Sequence, residues 1–227
     1  MGNDLLTEEL ERLKEELLKM ARLLEEQLFK AIKCLVDKDM AMAKEVIANE
    51  DLIDQMEMEI ERKALGLIAL KQPMAKDLRL IAVVLRMIVD MERMADHAEE
   101  IAIIAIQLHD QVYIKPLIDI PRMGKIAEQM VERAIQALIE EDRSLALTLV
   151  DRESELEGLY DQIFRELLSY MMQDHKNIPQ ATALLLVAGH LERIGDHATN
   201  LGEMVLYLVD GKRMDLNKIA RSSGKPS

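Results

Sequence analysis

The chain has 227 residues, enough for one or two domains with a sizeable core, and 49% of them are hydrophobic, which excludes a disordered chain. Aromatics make up 3%, Trp is absent and Met reaches 16, a composition poor in strand formers that points to an all-α protein. A net charge of −13 argues against nucleic acid as the main partner and suits cations or basic surfaces.

Helix one is predicted from about Leu5 to about Val36. Leu10, Leu13, Leu17, Met20, Leu24, Leu28, Ala31 and Leu35 recur every three or four residues, so one face is buried. Asp37-Lys38-Asp39 is the turn, and helix two runs from about Met40 to Leu70. Helix three starts after Gln72-Pro73, with Pro near its first turn, and reaches about His109. Tyr113 to Pro121, with two prolines, is the linker. Helix four ends near Glu140, helix five spans about Ser144 to Met172, and helix six about Pro179 to Val209. Residues 211–227 lack an apolar stripe and carry excess positive charge, so they are expected to form a mobile basic tail. Cys34 cannot form an internal disulfide and sits among apolar neighbours, as a small core residue does. With no signal-like start, a cytoplasmic location is expected. No apolar run reaches the roughly 18–20 residues of a membrane span.

The pattern Glu-Arg-x-x-Asp-His-Ala, opening a ten-residue stretch, occurs twice. Glu92-Arg93-Met94-Ala95-Asp96-His97-Ala98 is followed, 100 residues later, by Glu192-Arg193-Ile194-Gly195-Asp196-His197-Ala198. Upstream, Ala31, Ile32, Leu35 and Asp39 match Ala134, Ile135, Leu138 and Asp142 at an offset of 103, as Glu50 and Asp54 match Glu153 and Glu157. The drop from 103 to 100 places a shorter hairpin in the second copy. The expected architecture is two tandem, pseudo-symmetric three-helix antiparallel bundles, over residues 5–112 and 117–210.

Four acidic pairs stand out: Glu50–Asp54, Glu92–Asp96, Glu153–Glu157 and Glu192–Asp196. Each spans four residues, which puts both carboxylates on one helical face. Like charges so placed repel, and a cation reverses the sign. Hard cations such as Mg²⁺, Mn²⁺ and iron favour oxygen-rich donor sets. Asp54 lies about as far before the helix two–three turn as Glu92 lies after it, so antiparallel packing brings both pairs level. The same holds for Glu153–Glu157 and Glu192–Asp196. Four carboxylates per bundle suffice for more than one ion. A solvated face neutralised by Arg93 and Arg193 is the plainer alternative. His97 and His197 point about 100° away from the neighbouring Asp and are expected outside the ligand set. His109, His175 and His190 read as structural or exposed. A fully polar stripe runs through Arg79, Arg86, Asp90, Arg93 and His97.

The doubled Glu-Arg-x-Gly/Ala-Asp-His-Ala motif, the Glu50-x-x-Ile53-Asp54 segment and Gln72-Pro73-Met74-Ala75-Lys76-Asp77-Leu78-Arg79 resemble the PhoU family of phosphate-uptake regulators over residues 5–209. The resemblance implies two three-helix bundles whose acidic pairs hold multinuclear metal clusters, iron among them, with manganese and magnesium as alternatives. It assigns Glu50, Asp54, Glu92 and Asp96 to one cluster and Glu153, Glu157, Glu192 and Asp196 to the other. It also implies action with the phosphate-specific ABC transporter and a sensor histidine kinase to repress phosphate-starvation genes. Membrane association is then peripheral and through partners, and a homodimer stays open. The chain departs from the pattern at Glu157 for Asp, His190 opposite Asp90 and Ser154 opposite Asp51. No Gly-rich phosphate loop or nucleophile–base arrangement is visible, so a non-enzymatic regulator is the favoured function. A ferritin-like di-iron enzyme, which uses Glu-x-x-His pairs, and a metal-free helical scaffold are the alternatives.

Overall fold

The computed structural model describes residues 2–216 and 218, with side chains described from residue 5. Among the described residues there are seven α-helices: α1 (Gly2–Asp37), α2 (Met40–Lys71), α3 (Lys76–Leu108), α4 (Asp119–Glu140), α5 (Arg143–Leu147), α6 (Leu149–Gln173) and α7 (Ile178–Asp210). A 3₁₀ turn, His175–Asn177, precedes α7. Helices α1, α2 and α3 form one antiparallel bundle, and α4, α5–α6 and α7 form the second.

The duplication is visible in local chemistry. Asp39, in extended backbone, caps α2 by accepting from the Ala41 and Met42 N–H groups at 2.9 and 3.0 Å. Asp142 caps α5 in the same way, from Ser144 and Leu145 at 2.7 and 3.2 Å. Each cap satisfies two of the orphan donors of a helix start. The residue before each cap, Lys38 or Glu141, has a positive φ of 56° or 49°, so both turns reverse the chain by one device.

The structure corrects four expectations of detail. Helix five is interrupted at Thr148, whose hydroxyl donates to the Leu145 carbonyl at 2.7 Å and accepts from Arg133 Nη1 at 3.2 Å. That side-chain bond competes with the helical ladder. The second hairpin has no shorter connection, since residues 72–75 and 174–177 both number four. The missing residues come instead from the end of α6 and the start of α7. Pro121 lies inside the first turn of α4 rather than in the linker. The expected tail is anchored in its first part: Gly211 terminates α7 in the left-handed region, and Leu216 is fully buried with its N–H on Glu203 at 2.9 Å. Residues 217 and 219–227 of that tail lie outside the described residues.

The predicted stripe of α1 is buried from Leu10 to Leu35. One hydrophobic core runs through both bundles, because α3 packs on α7 and α1 on α4. The α1–α4 approach is close at Gly124, where an added Cβ would stand 2.4 Å from Ile32 Cδ1. Cys34 is buried, and burial first, then Asp39, pushes its thiol up to about 12, so it behaves as an inert core residue. The linker is held firmly. Tyr113 donates to the Leu35 carbonyl at 2.6 Å. Gln180, buried on α7, accepts from Ile114 N at 2.6 Å and donates to Gln111 Oε1 and the Val112 carbonyl at 3.0 and 3.1 Å. Among the described residues no helix is long and apolar enough to cross a membrane.

Candidate metal centre

The first acidic site is carried by α2 and α3, whose antiparallel packing levels the two pairs as their distances from the turn require. Glu50, Asp54, Glu92 and Asp96 are all half-buried at this helix junction. Glu50 hydrogen-bonds to both Asp54 and Asp96, so carboxyls from both helices are in contact. Burial first, then Asp54, Glu99 and Asp96, pushes Glu50 up to about 7. Burial first, then Asp96, Glu57 and Asp54, does the same to Glu92, with Arg93 opposing. One oxygen of Asp54, Oδ1, is buried with no hydrogen-bond partner. Carboxylates crowded together in this way carry a repulsion that only protons or cations relieve.

The second site differs. Glu192 lies beside Asp196, Glu157 and Asp161, and burial, followed by these acids, raises its pKa. Glu153 is buried, whereas Glu157 and Asp196 stand exposed at the rim. Fewer acids surround this site. The first contains Glu57 and Glu99, with Asp51 and Glu100 at its edge, and the corresponding positions in the second are Tyr160, Thr199, Ser154 and Asn200. The sequence reading passed over Glu57 and Glu99. Each lies three residues beyond a designated ligand, one helical turn along the same face, and that spacing was the available signal.

The donor set is all oxygen, with an unpartnered buried carboxylate oxygen and mutual repulsion, which fits a hard cation. Among the described residues, however, no group of three or more His, Cys, Asp or Glu side chains already converges at ion-ligand spacing. The contacts are pairwise, Glu50 with Asp54 and Glu50 with Asp96.

His97 and His197 lie where their 100° offset puts them, away from the acids and between α3 and α7. The polar stripe of α3 therefore borders the contact between the two repeats. His197 Nδ1 donates to Asp90 Oδ1 at 2.8 Å, joined by Asn200 Nδ2 at 3.1 Å. On the other side of the pseudo-dyad, His190 takes the place of Asp90 and its Nδ1 stands 3.3 Å from His97 Nδ1. Burial first, then His190, His197 and Arg193, pushes His97 down to about 4, so it is neutral at ordinary pH. His190, expected to be structural or exposed, is thus half-buried and paired. His109 is structural, with Nδ1 3.1 Å from the Lys38 carbonyl, and His175 is exposed.

The PhoU domain model matches this chain twice, at residues 17–105 and 120–205. The phosphate-specific transport system accessory protein PhoU homolog of Aquifex aeolicus is 41% identical over 91% of this chain and 94% of its own length. The homolog of the same name from Clostridium acetobutylicum is 36% identical over 96% of this chain and its full length. The crystal structure of PhoU from Pseudomonas aeruginosa superposes with a TM-score of 0.88 at 35% identity, covering 91% of this chain and 99% of that one. PhoU from Streptococcus pneumoniae superposes with a TM-score of 0.86 at 30% identity, over 92% and 99% of the respective chains. With the doubled motif, the paired bundles and these likenesses in agreement, the chain belongs to the PhoU family.

Proposed function

We propose that this protein is a metal-binding regulator of phosphate uptake, acting as a negative regulator of the phosphate-starvation response. Its family membership and the names of its relatives support the link to the phosphate-specific transport system. The phosphate ABC transporter and a sensor histidine kinase are the proposed partners, with any membrane association running through them. The observation that carries the metal half is the contact of Glu50 with Asp54 and Asp96 beside the unpartnered Asp54 oxygen. Glu50, Asp54, Glu92 and Asp96 would hold one cluster, and Glu153, Glu157, Glu192 and Asp196 the other. Iron is the proposed metal, and manganese or magnesium would satisfy the same oxygen donors. A bound cluster would supply positive charge and open coordination positions for an anionic ligand.

A regulatory role is favoured over a ferritin-like enzyme by the orientation of the histidines. Each Glu–His spacing in the doubled motif is five residues, Glu92 to His97 and Glu192 to His197, rather than Glu-x-x-His, and both histidines face the inter-repeat contact instead of joining the acids. The test is elemental analysis of protein purified without chelator or polyhistidine tag, beside Asp96→Ala/Asp196→Ala. Several equivalents of metal, lost in the variant, are expected. The same variant should leave a starvation-gene reporter switched on in phosphate-rich medium. Metal-free wild type that also fails to take up iron or manganese on reconstitution overturns the metal assignment. A reporter that stays repressed in cells lacking the protein overturns the regulatory one.

A further inference from the structure

The two repeats meet at a pseudo-dyad where one side has an Asp–His pair and the other a His–His pair. The geometry points to a single site for an imidazole-preferring divalent ion, of the zinc class, held by His97 on α3 and His190 on α7. The two Nδ1 atoms are 3.3 Å apart. A tetrahedral ion with bonds of about 2.0–2.1 Å separates two ligand nitrogens by about 3.3 Å. It also holds the two ring centres about 5.2 Å apart when each nitrogen points at the metal. The observed separation of the ring centroids is 5.3 Å, at a tilt of 49°. As a hydrogen bond the same contact is long, since N–H donors usually approach within about 3.2 Å.

The charges around the pair set its strength. Burial first, then Arg193, disfavours positive charge at both histidines, His197 does the same at His97, and Glu100 opposes them at His190. No third protein ligand gathers there among the described residues, so water completes the coordination. Both side chains are half-buried and reachable from solvent. The dyad mate forms no such pair: Asp90 occupies the position equivalent to His190 and takes the His197 Nδ1 proton at 2.8 Å. An ion at His97 and His190 would tie α3 to α7 across the contact between the repeats. This site is independent of the acidic clusters, because it uses nitrogen donors on a different face of the same helices.

The test is a Zn²⁺ titration of the full chain, with binding read at the histidine nitrogens so that zinc taken up by the carboxylates is not counted. Long-range ¹H–¹⁵N spectra report each histidine nitrogen. One equivalent of zinc should shift Nδ1 of His97 and His190 and leave His109 and His175 unmoved. His190→Asn, a side chain of the size tolerated at the equivalent Asp90, should keep the fold and weaken zinc binding more than about tenfold. Zinc that leaves both nitrogens unmoved, or binds His190→Asn with wild-type affinity, overturns the site. Either failure leaves the iron content of the acidic clusters, read by elemental analysis, unaffected.

Discussion

Replacing Glu92 by Gln should stabilise the metal-free protein at pH 8 and do little at pH 5. Glu92 ionises near 4.5 in an unfolded chain and at about 7 in the fold, because burial and the neighbouring Asp96, Glu57 and Asp54 disfavour its charge. A carboxyl whose pKa is raised by folding adds its full stability below pH 4.5, and that contribution is lost as pH rises through about 7. At about 1.4 kcal/mol for each pH unit a pKa moves, the ceiling is about 3 kcal/mol. The side chain is only half-buried, and solvent screening lowers this to about 1–2 kcal/mol. For a chain of this size, that corresponds to a Tm higher by about 3–6 °C. The measurement is thermal unfolding by circular dichroism in chelator at pH 5 and pH 8, for wild type and Glu92→Gln. The gap between the two proteins is the readout, since His97, pushed down to about 4, contributes in the opposite direction to both. With iron or manganese added the order should invert, as the variant loses a donor and with it part of the stabilisation from binding. A gap that is equal at both pH values, or a variant less stable at pH 8 in chelator, would refute the repulsion argument.

Gly195→Ala would set a Cβ 2.2 Å from Cδ2 of the buried Leu156, an overpacking cost of about 1–3 kcal/mol, partly offset by the better helix propensity of Ala, worth about 1 kcal/mol inside α7. The first repeat has Ala95 and Ile53 at these positions, so Leu156→Ile should recover part of that loss in a double-mutant cycle of urea unfolding. Removing either repeated cap, by Asp39→Ala or Asp142→Ala, should lower stability by the same measurement, to a similar extent in the two cases. Gln180→Ala removes three of the hydrogen bonds that hold the linker, and amide exchange at Ile114, whose N–H loses its acceptor, should speed up before that of α3 or α7 does.

Features set by local chemistry were legible before the structure. The stripe from Leu10 to Leu35 meant one buried face because helical periodicity does not depend on distant partners. Asp39 and Asp142 read as equivalent turns because a cap needs only its own next three residues. The pairing of Glu50–Asp54 with Glu92–Asp96 followed from their equal distance to one hairpin. Tertiary structure decided the rest. Asp90 and His97 belong to a polar stripe whose surroundings depend on α7, a helix about 100 residues away in sequence. Glu57 and Glu99 share the helical spacing of the designated ligands, but the rotation at which α2 and α3 pack decided that they face the first acidic site. The replacement of Asp90 by His190 looks like a minor departure in one dimension. Across the pseudo-dyad it exchanges a carboxylate–imidazole bond for two facing imidazoles, because packing sets α3 and α7 antiparallel with these positions level.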